Sequence, residues 1–266
     1  MRLTLFLAVP VFLLGATHPR KPAASAPSPA TIAPNVAPGA VLPDVQRNAL
    51  LAGADFDRLW RHQPQAGTED VFNGCFGSEC QRLEFVFTSV RADAKQLGRY
   101  VVAGKFRCYE EVTPFHGSVL LQKVERLPAD AVAYRNNRSV AAPTYCASGR
   151  FAVQATSKRG LGGQFTGRVA LDFQLDASQN PYLAVDTPNP ATRWGGLLFE
   201  GQWRENAAQE PVHVFWKQGI AVTHQILEQF EMGGRNPTIN RRYTRMGWQS
   251  MWANDEWWVE GKIAKR

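Results

Sequence analysis

Two runs of the chain keep a strict two-residue alternation. From Gly163 onward Phe165, Gly167, Val169, Leu171, Phe173 and Leu175 are apolar or small, while Gln164, Thr166, Arg168, Asp172 and Gln174 stand between them. From Gly195 the pattern returns, with Leu197, Phe199, Gly201 and Trp203 on one side and Glu200, Gln202 and Arg204 on the other. Successive side chains of a strand point to opposite faces, so each run predicts a strand buried on one face and solvated on the other. Between them, Asp176 to Asn180 and Asp186 to Arg193 are rich in Asp, Asn, Ser and Pro, the residues of turns.

The same period recurs along the chain. Leu83, Phe85 and Phe87 begin a strand that ends near Val90, and Tyr100, Val102, Gly104, Phe106 and Cys108 alternate with Arg99, Lys105, Arg107 and Tyr109. Phe115 to Val124, Gly149 to Thr156, Tyr182 to Val185 and Val212 to Trp216 extend the series. Gly67 to Cys80 reads as a loop, Pro128 to Pro143 as a loop or a short helical excursion, and Ser157 to Gly163 as a hairpin turn. Asp44 to His62 has a partly helical spacing. Val222, Ile226, Leu227 and Phe230 predict a helix stopped by Gly233-Gly234, and Trp248, Met251, Trp252 and Val259 suit one face of another. The fold class that follows is all-β: an antiparallel barrel of about eight to ten strands, with short helices at its N- and C-terminal ends.

In four strands a glycine and an aromatic ring sit two apart on one face: Gly104 with Phe106, Phe115 with Gly117, Phe165 with Gly167, and Phe199 with Gly201. Glycine weakens a strand, so its recurrence beside a ring predicts sharp coiling, with the ring covering the gap. It also suits a site for a small apolar or amphipathic ligand at the barrel mouth, lined by Phe106, Phe165, Gly167, Phe199, Gly201 and Trp203.

The N-terminus changes the picture. Arg2, the apolar run Leu3 to Leu14 and the small residues Gly15, Ala16 and Thr17 have the three parts of a secretory signal peptide, expected over residues 1–17. A membrane-spanning helix needs about 20 apolar residues, more than this run supplies. No cysteine stands just after the run for a lipid anchor, the first being Cys75, and no transmembrane segment is expected after signal cleavage. Residues 18–43 carry seven prolines among Ala and Ser and read as a linker, and 44–266 as one barrel domain with a Trp-rich, basic extension from about 220. The expected location is periplasmic or extracellular.

The formal charge is +7, and Arg235 to Arg266 holds seven cations against Asp255, Glu256 and Glu260. Arg241, Arg242, Arg245, Trp248 and Trp252 therefore form a second candidate site, suited to an envelope glycan or anionic polymer. No nucleic-acid partner is expected. Four cysteines, Cys75, Cys80, Cys108 and Cys146, favour disulfides in an exported chain; Cys75 with Cys80 would close a small loop and leave Cys108 for Cys146, with the other two connectivities also open to the sequence.

Catalytic chemistry finds little footing, and no cofactor or metal is expected. His18, His62, His116, His213 and His224 have no metal spacing, although His116 and His213 could meet as an acid/base pair. Asp172 and Glu200 resemble a glycosidase-like carboxylate pair but fall on the outward face, where solvation is expected. A hydrolase ranks third, behind ligand binding and polymer binding.

Gly77 to Val90, Tyr100 to Val124, Phe199 to Trp203 and the terminal Gly247-Trp248 followed by Trp257-Trp258 resemble a group of exported bacterial β-barrel proteins of unassigned function. More loosely, Phe165 to Trp203 is similar to the small barrels of the lipocalin and fatty-acid-binding group. That likeness implies an apolar ligand held in the barrel mouth.

Overall fold

The computed structural model describes residues 37–63, 71–128, 133–135, 138–140, 142–157, 161–218, 226–229, 238–251 and 256–259. The expected signal segment and most of the linker lie outside these residues. In chain order the elements are α1 (Asp44–Gly53), β1 (Phe72–Phe76), β2 (Gln81–Ala92), β3 (Arg99–Cys108), β4 (Glu111–Arg126), β5 (Ala133–Arg135) and β6 (Arg138–Val140). They continue as β7 (Tyr145–Ala155), β8 (Gly163–Leu175), β9 (Pro181–Leu183), β10 (Leu197–Arg204), β11 (Val212–Gln218), β12 (Leu227–Gln229), β13 (Thr238–Ile239) and α2 (Arg241–Thr244).

Eight strands close an antiparallel barrel in the order β10-β11-β1-β2-β3-β4-β7-β8, sealed by pairing of β8 with β10. β9 adds to the far end of β8 through Phe173 to Leu175. Closure leaves no edge along the barrel, which removes the commonest route to strand-by-strand aggregation. The linker does not run free to residue 43, because Gly39 and Leu42 donate to the carbonyls of Arg126 and Val124 and tie the incoming chain to the end of β4.

The alternation expected for β3, β8 and β10 holds: Tyr100, Val102, Phe106, Phe165, Val169, Leu171, Phe173, Leu197, Phe199 and Trp203 all join the interior cluster. That interior is aromatic. Trp216 lies flat between Phe85, at 4.0 Å, and Phe199, at 5.2 Å, while Phe165 and Phe151 meet its ring edge-on at 6.0 and 5.1 Å. Such pairs gain about 0.5–1.5 kcal/mol each beyond the area they bury. The segment after α1 stoppers one end, with Phe56 against Phe173 at 4.9 Å and Trp60 against Tyr100 at 5.1 Å.

Sequence and structure part in several places. The Gly-rich stretch expected as a loop contains β1, and Pro128 to Pro143 contains the β5-β6 hairpin. Leu227–Gln229, expected in a helix, is instead a strand paired with β13. The expected pairing of Cys108 with Cys146 is also corrected. Cys75 and Cys80 are bridged, but Cys108 and Cys146 are buried free thiols. Cys108 pairs with Glu111 at the start of β4 and Cys146 with Glu125 near its end. At about 3.3 Å per residue the two are tens of ångströms apart along that strand, whereas a disulfide needs Cα atoms within about 7 Å.

Candidate functional site

The residues expected to line a ligand site lie inside the barrel but leave it filled. Phe106, Phe165 and Phe199 are fully buried, and Phe106 meets Phe165 at 5.2 Å. Trp203 packs against Phe76 at 5.3 Å towards the opposite end from α1. Gly167 and Gly201 face each other across β8 and β10. A Cβ on Gly167 would stand 2.2 Å from the Glu200 carbonyl oxygen, and one on Gly201 2.0 Å from that of Thr166. These glycines therefore serve the close approach of two sharply coiled strands rather than open space for a ligand.

The C-terminal candidates divide. Arg241, Arg242 and Arg245 are exposed, with Arg242 paired to Glu79. Trp248 is fully buried: it packs with Cys75, Cys80, Leu198, Phe215 and Ile226 on the outside of the wall, and its indole N–H donates to the Cys80 carbonyl at 2.8 Å. It is thus a clamp for residues 238–251, a strap that covers β1, β10 and β11, not a recognition platform. Trp252 lies outside the described residues. Beneath the strap Glu84 accepts from Arg82 at 2.7 Å and from Arg107 at 2.6 Å, and Arg82 continues to Ser250 at 3.2 Å.

The most elaborate polar arrangement stands on the outer wall around β8, β10 and β11. Asp172 was expected to be solvated, and this is corrected: it is fully buried under the loop from Ala184 to Gly196. Its carboxylate accepts from Asn189 at 2.6 Å, from Thr192 at 2.7 Å and from the hydroxyl of Thr187, and Cys146 adds a fourth side-chain contact. Burial pushes the carboxyl up, and these hydrogen bonds offset only part of that rise. Lys217, also buried, donates to the carbonyls of Thr192 at 3.0 Å and Arg193 at 2.6 Å, and burial brings its ammonium down to about 8. Burial and the nearby Asp172 both raise the Cys146 thiol, which makes it a poor nucleophile.

These anchors hold a backbone that L-residues avoid. Arg193 and Trp194 have φ of 52° and 73°, and Gly195 and Gly196 follow with 92° and 72°. Left-handed non-glycine residues persist only where the surroundings enforce them. The product is a fixed loop that leaves Trp194 66 % exposed and lays the Arg193 guanidinium over Phe215 at 4.2 Å.

Below this loop the wall carries three cross-strand rows. The first runs Arg99, Leu120, Arg150, Arg168 and Glu200 across β3, β4, β7, β8 and β10. The second runs Ser118, Ala152, Thr166, Gln202 and His213, and the third His116, Gln154, Gln164 and Arg204. Glu200 is the one carboxylate in these rows. Burial raises it, but its pairs with Arg168 and Arg193 outweigh burial and hold it below the usual range, so it stays charged. His213 approaches it at 3.5 Å. Arg150 has no ion-pair or hydrogen-bond partner among the described residues and directly opposes Arg168. Like charges so placed repel; Arg168 has its counter-charge in Glu200, and Arg150 is the member of the pair without one.

The expected catalytic pairings do not form. Glu200 pairs across the sheet with Arg168, not with Asp172. His116 on β4 and His213 on β11 are separated by β7, β8 and β10, about 19 Å at the spacing of neighbouring strands. Among the described residues no group of three or more His, Cys, Asp or Glu side chains is placed to hold a metal ion, and no helix is long and apolar enough to cross a membrane. Sequence reasoning missed Arg150, Arg193, Trp194 and Lys217 as site residues. Trp194 had a signal: a tryptophan after a Pro-, Asn- and Thr-rich stretch has no local apolar face to join. No family model, no curated protein and no solved structure matches this chain.

Proposed function

We propose that this protein is an exported, non-catalytic binding module that holds an acidic envelope glycan against the outer wall of its barrel. One observation carries the reading: three uncovered rows of Arg, Gln, Thr, Ser and His with a single carboxylate, bordered by the exposed ring of Trp194. Amides, hydroxyls and guanidiniums suit sugar hydroxyls and carboxylates, and an exposed indole suits the apolar face of a pyranose ring. The rings that fill the interior leave the wall as the surface for recognition. Export is supported by the signal-like N-terminus and the Cys75–Cys80 bridge.

The test is retention on an immobilised acidic polysaccharide and on a neutral one, at low and high salt. Acidic retention that fades with salt is expected, since exposed charges are screened beyond about 10 Å at 0.1 M. Trp194→Ala with Arg150→Gln should weaken it, while Arg241→Gln, Arg242→Gln and Arg245→Gln together should not. Loss only in the triple variant would move the site to the C-terminal strap. Saturable uptake of an apolar fluorescent probe without polymer retention would return it to the barrel mouth.

A further inference from the structure

A hollow at the β3 end of the outer wall is bounded by Gln96, Arg99, Ser118, Leu120, Arg150 and Ala152, with a volume of about 280 Å3. We infer that this hollow is a subsite for one carboxylated sugar ring, an inference that rests on the wall reading above. Two guanidiniums border it. Arg99 is held in place through Asp93 at 2.9 Å, while Arg150 is exposed and has no ion-pair or hydrogen-bond partner among the described residues.

The rim is preformed. Arg99 donates its backbone N–H to the Gln96 carbonyl at 3.1 Å, Lys95 donates to the Asp93 carboxylate at 2.9 Å, and the Gly98 carbonyl accepts from Leu121 at 2.8 Å. Gly98 has φ of 75°, and a Cβ there would stand 2.6 Å from the Leu121 carbonyl oxygen, so the turn lies directly on β4. The turn therefore presents Arg99 without reorganisation on binding, which favours affinity.

Three chemistries converge in the hollow. Arg150 and Arg99 supply charge-assisted donors for a carboxylate. Ser118 and Gln96 offer a hydroxyl and an amide for ring hydroxyls. Leu120 and Ala152 give an apolar floor for the C–H face of the ring. A bare anion would use only the first of these, and a neutral hexose only the other two. The volume lies at the lower end of ligand sites, which suits a single ring. Arg168 follows Arg150 along the row, already paired with Glu200, and Thr166 and Gln202 lie in the next row, so a chain of such sugars could extend from the hollow across the wall on polar donors.

The experiment is an amide NMR titration of the full chain with sodium galacturonate, galactose and sodium phosphate, run beside the polysaccharide retention assay. Galacturonate should shift the amides of Gln96, Arg99, Ser118, Arg150 and Ala152 in a saturable way. Galactose should leave them in place, and phosphate should act at least tenfold more weakly. Arg150→Gln should weaken galacturonate binding about tenfold or more, with Arg150→Lys intermediate. Because Arg150 is exposed, both variants should keep the wild-type spectrum elsewhere. Unmoved amides, equal action of phosphate, or an unaffected Arg150→Gln would each overturn the subsite. Polymer retention without monomer shifts would sink the subsite and spare the wall reading. Monomer binding without polymer retention would do the reverse.

Discussion

Asp172→Ala is the sharpest perturbation of the outer wall. The change strips the acceptor from Thr187, Asn189 and Thr192, all buried, and from Cys146. A buried donor left unpaired costs about 1–3 kcal/mol. Water entering beside the shortened side chain holds each loss near the lower bound, and relief of the buried charge offsets a little more. The expected loss is therefore about 3 kcal/mol, which for a domain of this size lowers Tm by roughly 6–12 °C. Asp172→Asn keeps an acceptor for the threonines but sets an amide N–H2 among donors, so its loss should be smaller, about 1–2 kcal/mol. Urea unfolding followed by tryptophan fluorescence gives both values, provided the slope with denaturant is unchanged. A second readout is trypsin cleavage after Arg193, which should quicken in Asp172→Ala because the loop loses its anchor. A change within about 0.5 kcal/mol, typical of an exposed site, together with unchanged cleavage, would refute the account of Asp172 as the hub of the loop.

Thiol counting under denaturing, non-reducing conditions should find two reactive cysteines, Cys108 and Cys146, with Cys75 and Cys80 joined; zero or four would contradict the pairing. In the native protein at pH 8 neither should react, since burial pushes the Cys108 thiol up to about 12 and the Cys146 thiol upward too. Gly167→Ala should destabilise by about 2–3 kcal/mol, because its methyl would meet the Glu200 carbonyl; wild-type stability would mean the strands are less tightly coiled than described. Lys217 titrates near 8 when folded and about 10.4 when unfolded, so the unfolded chain binds more protons between these values. Stability should rise with pH across that window, by at most about 3 kcal/mol, and Lys217→Met should flatten the rise; parallel pH profiles for the two proteins would rule this out.

The alternation in β3, β8 and β10 was legible because one face meets packed rings and the other meets water along most of each strand. β1 was not, because both its faces are covered: Phe72 and Phe76 point inward, while Cys75 lies under the strap with Trp248. Asp172 shows the limit most clearly. A period of two places it outward, and it does face outward, but the loop from Ala184 to Gly196 roofs that side. No local pattern announces such a roof, since it depends on a segment folding back across the strand that precedes it. The cysteines failed for a related reason, because connectivity depends on where strands end in space. Of the wall, Arg168 and Glu200 were placed outward by sequence, but the row they share with Arg150 needs the register.

The order of strands also governs how this chain can be made. β11 lies between β10 and β1, so Phe72 pairs with Gln218 and Phe76 with Val214, partners that enter the chain far apart. Until Val212–Gln218 has been synthesised, β1 has only β2 beside it and the aromatic interior stays open along a seam. Contacts of such long sequence separation slow folding, and an open seam of strand edges and rings invites association with other chains. For this topology, an N-terminal fragment ending before Val212 should be insoluble, whereas loss of the residues after the strap should leave the sealed barrel standing.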